Sequence, residues 1–284
     1  MNINLINELK NKEFKVLDKG FVRLIDVMGD DAAIVQAARV SYGEGTKTVR
    51  EDRGLIRYLM RHRHTSPFEM VEFKFHVKLP IFVARQWIRH RTANVNEYSG
   101  RYSVIRDEFY VPEIEEIRTQ SQVNKQGRSE ENISEELARE VAKKIEATQS
   151  KLYQEYEEFL NLNVARELSR INLPLSTYTE WYWKIDLHNL FHFLKLRLDK
   201  TAQFEIRKYA EIMADIVKQI VPLSYEAFED YILNSITFSK SELLYLKNLI
   251  SGITNISEES LLINGFSKTE SREFIEKLKI FNSL

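Results

Sequence analysis

The sequence predicts an α+β fold, a small antiparallel or mixed sheet with many packed helices, because two clear strand patterns stand among many helical ones. Val71, Phe73, Phe75, Val77 and Leu79 alternate with Glu72, Lys74, His76 and Lys78, the period of two of a strand with one buried face. Thr177 to Ile185 alternates again and is rich in Tyr, Trp and Thr.

The elements follow in order. Lys15 to Met28 suggests a hairpin, Val16-Leu17 and Phe21 to Ile25, broken at Lys19-Gly20. Asp30 and Asp31 are caps for a helix reaching about Val40, and Asp52 to Arg63 forms a second helix with Leu55, Ile56, Leu59 and Met60 on one face. Pro80 ends the first strand. Ile81 to Arg91 then reads as a helix burying Phe82, Val83, Trp87 and Ile88. The polar stretch from Arg118 to Asn132 reads as a mobile loop. A long charged helix follows over about Ser134 to Asn161, with a shorter one ending before Pro174. Beyond the second strand come helices over Leu187 to Arg197, Lys200 to Ile220 and Tyr225 to Leu233. The tail after Ser235 holds two or three short amphipathic helices, with Leu243, Leu244, Leu246, Leu249 and Ile250 on one face. The expected organisation is one domain over 1–234 and a helical C-terminal extension over 235–284.

Composition narrows the chemistry. With 284 residues, 43% hydrophobic and 29% charged, the chain has enough apolar surface for a substantial core. A net charge of −1 argues against a nucleic-acid coat, so any anion site must arise locally. The chain contains no cysteine, which removes disulfides, thiolate metal sites and thiol nucleophiles together. No basic-then-apolar leader and no apolar run of membrane-spanning length is visible, and the expected location is the cytoplasm.

The most unusual window runs from Gln86 to Tyr102 and packs Arg89, His90, Arg91, Asn94, Asn96, Glu97, Ser99, Gly100 and Arg101 together. Arginine forks suit phosphate and pyrophosphate, and Ser99-Gly100 adds a hydroxyl and a backbone open to close approach. Arg89-His90-Arg91, seven residues, then Ser99 resembles the signature of flavin-dependent thymidylate synthases, with Asn94 where Ser is common. His64-Thr65-Ser66-Pro67-Phe68-Glu69, Ala38-Arg39-Val40-Ser41, Leu173-Pro174-Leu175 after Arg170, and Leu196-Arg197 with Ala202-Gln203-Phe204-Glu205-Ile206 match the same family in order, from about Val16 to Tyr231.

That resemblance implies reductive methylation of dUMP to dTMP without a cysteine nucleophile. In this family reduced FAD carries the one-carbon unit of methylenetetrahydrofolate and supplies a hydride, with NADPH as reductant. It implies dUMP contacts from Gln86, Arg89, Glu97, Ser99, Gly100, Arg101, Arg170 and Arg197, with Arg101 and Arg170 as phosphate forks and Arg197 as the catalytic residue facing the pyrimidine. It implies FAD contacts from Ser41, His64, Ser66, Arg89, His90, Arg91, Glu97, Asp186, His188 and His192. Asp186 and His188 stand where some members carry Asn and Arg. The Gly-x-Gly-x-x-Gly loop is absent, so the implied flavin fold is non-Rossmann. The family's sites lie between subunits, which implies a homotetramer.

Two other readings compete. His188 and His192 have the i, i+4 spacing of a metal pair, but the zincin Glu is missing and no third ligand is evident, so no metal is expected. A nucleotide- or RNA-binding module using Arg89, Arg91 and Arg101 without flavin chemistry is the alternative function, disfavoured by the near-zero net charge.

Overall fold

The computed structural model describes residues 3–40, 49–122, 127–249 and 256–283, which fall into two compact units, Met1–Leu233 and Asn234–Leu284. The first unit opens with helix α1 (Ile3–Leu9), then strands β1 (Glu13–Val16) and β2 (Gly20–Met28), then helices α2 (Asp31–Arg39) and α3 (Val49–Arg61). Strand β3 (Glu72–Pro80), helix α4 (Ile81–Trp87) and strand β4 (Asn94–Glu97) carry the motif window. Strands β5 (Arg118–Gln120) and β6 (Arg128–Asn132) precede helices α5 (Glu135–Asn161) and α6 (Arg166–Ser169). Strand β7 (Tyr178–Asp186) and helices α7 (Leu187–Arg197), α8 (Phe204–Ile220) and α9 (Pro222–Phe228) complete it, with a π-turn at Glu229–Leu233. The second unit holds α10 (Lys240–Leu249), α11 (Glu258–Ile263) and α12 (Lys268–Ser283). Ile250, expected on the apolar face of the first tail helix, lies outside the described residues.

The main sheet has the order β1-β2-β3-β7-β4, every neighbour antiparallel. Alternation places its faces as expected. Phe73, Phe75, Val77 and Leu79 on β3 are fully buried, and Phe75 lies opposite Trp183 and Val77 opposite Trp181 on β7. Helices α4, α7 and α8 pack on the sheet. Trp87 of α4 sits at their meeting point, with Trp181, Trp183, Phe193 and Tyr209 rings all within 6 Å of its own. Glycine is required at Gly20, where a Cβ would stand 2.1 Å from the Tyr209 hydroxyl and 2.9 Å from the Lys78 carbonyl.

Local chemistry sets the helix starts. The Asp30 side chain accepts from Ala32 N at 3.0 Å and that of Ser134 from Leu137 N at 3.3 Å. Asp186 caps α7 by accepting from Asn189 N at 2.9 Å. Asp31 instead ties two helices together. It accepts from Leu223 N, Ser224 N and Ser224 Oγ at the start of α9, and burial pushes its carboxyl above the usual range.

Four sequence expectations are corrected. The helix expected through Arg91 stops at Trp87, because the chain must turn back to pair β4 with β7, and Ile88 is consequently exposed. Strand β4, which contains one apolar residue and is exposed throughout, is an edge strand that no alternation announced. The stretch expected as a loop contains the β5–β6 hairpin, with Arg118 opposite Asn132 and Gln120 opposite Arg128. Helix α8 begins at Phe204, not Lys200, because Asp199 holds the Thr201 amide and hydroxyl in a turn before it.

Candidate active site

Arg197, in the last turn of α7, lies against the turn after α4. Its Nε donates to His90 Nε2 at 3.0 Å, and its Nη2 donates to the Gln86 carbonyl at 3.2 Å. The first bond requires a neutral imidazole presenting a lone pair. Burial, reinforced by the charge of Arg197 and by His192, holds the His90 ring down to about 4. Burial also pushes the Arg197 guanidinium pKa down. His90 is further fixed by edge-to-face packing on Phe193, ring centroids 4.9 Å apart.

These residues line a cleft of about 310 Å³ bounded by Arg89, His90, Arg91, Thr92, Ile185, Asn189, His192, Leu196 and Arg197. Among the described residues no carboxylate is in its walls, and the Arg89 and Arg91 guanidinia have no acceptor there. Such a wall suits an anion. Asn189, Thr92 and Leu196 were not foreseen. Asn189 shared a helical face with His192, three residues on, which was the available signal. Its amide is oriented by Asp186, whose Oδ2 accepts from Asn189 Nδ2 at 2.7 Å. Asp186 therefore acts in this chain as a helix cap and as the support of a cleft residue.

A second group forms at the end of β4 and in the turn after it. The Glu97 carboxylate accepts from Thr179 Oγ1 at 2.8 Å, and Ser99 Oγ accepts from Arg101 N at 3.3 Å. Gly100 is buried beneath Ile105, with Arg170 Nη1 3.1 Å from where a Cβ would stand. Arg101 Nε pairs with Glu167 at 3.1 Å on an exposed surface. The structure thus brings Ser99, Gly100, Arg101 and Arg170 together, apart from the cleft wall of Arg89, His90 and Arg197. Gln86 lies between Arg197, through its carbonyl, and Gln203, to which its side-chain amide donates.

The remaining expected flavin residues are not in the cleft wall. His64 is exposed after α3, near the Tyr58 and His62 rings, and Ser66 lies in the following turn. His188 is half-buried in the first turn of α7. The 3-10 turn Phe68–Met70, just after Ser66, packs against α7, which brings both segments to the same end of that helix. Ser41 lies outside the described residues. Among the described residues no group of three or more His, Asp or Glu is arranged to hold a metal ion, and no helix is long and apolar enough to cross a membrane.

The comparisons with known proteins agree with one another. The family described as thymidylate synthase complementing protein matches residues 23–223. A flavin-dependent thymidylate synthase of Treponema denticola is 59% identical over 269 residues, covering 95% of this chain and 98% of that protein. That of Rickettsia conorii is 51% identical, covering 99% of this chain and 97% of that protein. In structure, the UMP/dUMP methylase PolB from Streptomyces cacaoi, solved with 5-Br dUMP, superposes with a TM-score of 0.71 at 33% identity. It covers 78% of this chain and 100% of its own. A family match over most of the chain and relatives alike from end to end place this chain in the flavin-dependent thymidylate synthase family.

Proposed function

We propose that this protein converts dUMP to dTMP using methylenetetrahydrofolate as carbon donor, FAD as flavin and NADPH as reductant. The observation that carries the reading is the Arg197–His90 pair, anchored on the Gln86 carbonyl, in the wall of a cleft whose other cations, Arg89 and Arg91, lack acceptors among the described residues. FAD fits that donor set: its pyrophosphate matches the Arg89 and Arg91 forks, and among the described residues the walls offer no carboxylate to repel it. Bound there, FAD supplies hydride chemistry and one-carbon transfer, which a chain without cysteine cannot supply through a thiolate.

The chain's own residues do the rest. Arg197, held by a neutral His90 and by the Gln86 carbonyl, keeps a positive charge in a desolvated position. Placed against the pyrimidine, that charge stabilises the negative charge that develops as C5 becomes nucleophilic. Arg101 and Arg170 hold the phosphate, with Ser99 and the backbone at Gly100 beside them. Asn189 and His192 supply further polar contacts to the flavin.

The dUMP residues form two groups, and the surface near Arg101 and Arg170 exposes Tyr102 at 77%, Leu168 at 57% and Ile171 at 70%. We infer that the site is completed between subunits of a homotetramer, in which these apolar side chains are covered. Residues 1–234 carry the chemistry in this reading, residues 235–284 form a helical extension, and the enzyme works in the cytoplasm. The test is to supply dUMP, methylenetetrahydrofolate, NADPH and FAD and to measure dTMP by chromatography. Formation of dTMP that depends on all three substrates supports the reading. Absence of product with bound FAD and dUMP refutes it.

A further inference from the structure

We propose that Gln203 and Glu205 are positioning residues that fix which way the Gln86 side-chain amide faces. Gln86 then meets the nucleotide with its carbonyl oxygen and selects a hydrogen-bond donor there. The inference rests on the dUMP reading above and extends it to two residues outside the expected site.

Glu205 is 1% exposed in the first turn of α8. Its carboxylate accepts from Tyr110 Oη at 3.1 Å, from Arg128 Nη2, and from Gln203 Nε2 at 2.8 Å. Arg128 cannot accept, and burial together with the Glu205 charge pushes the Tyr110 hydroxyl far above its usual range, so it stays a donor. A carboxylate surrounded by donors accepts only, so Gln203 must turn its nitrogen toward Glu205. Its carbonyl oxygen then faces away, where it accepts from Gln86 Nε2. Gln86 therefore has its nitrogen engaged, and its Oε1 has no partner among the described residues.

An amide side chain normally has two nearly isosteric orientations. Here the fixed polarity of one carboxylate passes through two amides in series. Reversing Gln203 alone would set its carbonyl against the Glu205 carboxylate. Reversing Gln86 alone would set two carbonyl oxygens against each other. The last member sits one helical turn before Arg89, and its backbone carbonyl is held by Arg197, so the orientation is delivered next to the catalytic arginine. The first members come from the β5–β6 hairpin through Arg128, which Glu116 also binds at 3.3 Å.

A dUMP molecule offers two neutral donors, the pyrimidine N3–H and the sugar 3′-hydroxyl. The test measures equilibrium binding of dUMP, 3-methyl-dUMP and 2′,3′-dideoxyuridine monophosphate to the full-length protein by calorimetry. It uses the wild type, Gln203→Ala, Gln86→Ala and the double variant. The wild type should lose about tenfold in affinity for whichever analogue lacks the contacted donor, the scale of one neutral hydrogen bond. Gln203→Ala should bind dUMP about fivefold to tenfold more weakly and discriminate that analogue less, with KM raised and kcat little changed. In the Gln86→Ala background, Gln203→Ala should have no further effect, an outcome that a merely structural role does not give. Glu205→Gln, whose amide permits either orientation, should reproduce the loss of discrimination. Gln203 is exposed, so its variant keeps the test decisive if Glu205→Gln does not fold. The proposal is overturned by a Gln203→Ala protein with wild-type discrimination, by penalties that multiply in the double variant, or by a wild type indifferent to both donors. A wild type that binds no dUMP would instead overturn the substrate reading, and this inference with it.

Discussion

Arg197 Nε donates to His90 Nε2 at 3.0 Å, so the arginine proposed as catalytic is steadied by a histidine that must remain neutral to accept the bond. Burial first, then the charge of Arg197 and the neighbouring His192, depress the His90 pKa from 6.5 to about 4. Between those values the unfolded chain takes up a proton that the folded protein refuses, so this group makes stability fall as pH falls from about 6.5 toward 4. In a histidine-selective NMR titration the His90 ring should show no protonation step between pH 8 and 5. A midpoint near 6.5 would show that Arg197 is not held this way.

Arg197→Ala should keep bound flavin and lose most dTMP formation, by a hundredfold or more, on the scale of about 2.7–4 kcal/mol for a lost charge-stabilising group. Arg197→Lys should rescue little, because an ammonium cannot span His90 Nε2 and the Gln86 carbonyl with a planar fork. Flavin content and turnover, measured on the same preparation, separate the two effects.

Arg101 is paired with Glu167, and both side chains are more than half exposed. Pairs of this kind contribute about 0–1 kcal/mol. Glu167→Gln should therefore free the arginine for phosphate and tighten dUMP binding by no more than about fivefold. Arg101→Ala should weaken it by about tenfold or more. Calorimetric titration with dUMP checks both signs.

Gly100→Ala places a methyl group 2.8 Å from Ile105 Cδ1 and 3.1 Å from Arg170 Nη1. The flexible Ile105 tip can give way, so the fold should survive with a loss of about 1–3 kcal/mol. Displacement of the Arg170 fork should raise the KM for dUMP more than it changes kcat. A KM equal to wild type would remove Arg170 from the phosphate site.

Asp186 separates capping from flavin contact. Asp186→Ala should cost about 0.5–2 kcal/mol in urea denaturation and weaken flavin binding by releasing Asn189. Asp186→Asn, which can still cap, should be close to wild type in stability.

Much of this was legible in the sequence, for identifiable reasons. The alternation of Val71 to Leu79 and Thr177 to Ile185 carried the two central strands, because each turns its apolar residues onto the core and keeps its charged residues on the opposite face. The Arg89-His90-Arg91 through Ser99 spacing carried the family. What stayed hidden depends on tertiary pairing. Asn94–Glu97 becomes a strand only because β7 offers it an edge, and that edge cuts α4 short. The polar Arg118–Asn132 segment is ordered at its described ends by pairing within itself and by Arg128 reaching Glu205. Asn189 and the Gln86–Gln203–Glu205 series were unreadable because their meaning lies in who faces whom across about 117 residues of chain, not in local spacing.

The most direct test of the central claim follows flavin absorbance anaerobically in the FAD-loaded protein after adding NADPH, with and without dUMP. NADPH should bleach the oxidised flavin band at a rate that changes when dUMP is present, as expected if nucleotide and flavin share the Arg89–Arg197 region. A protein that holds FAD but shows no NADPH-dependent bleaching, or bleaches identically with and without dUMP, would contradict it.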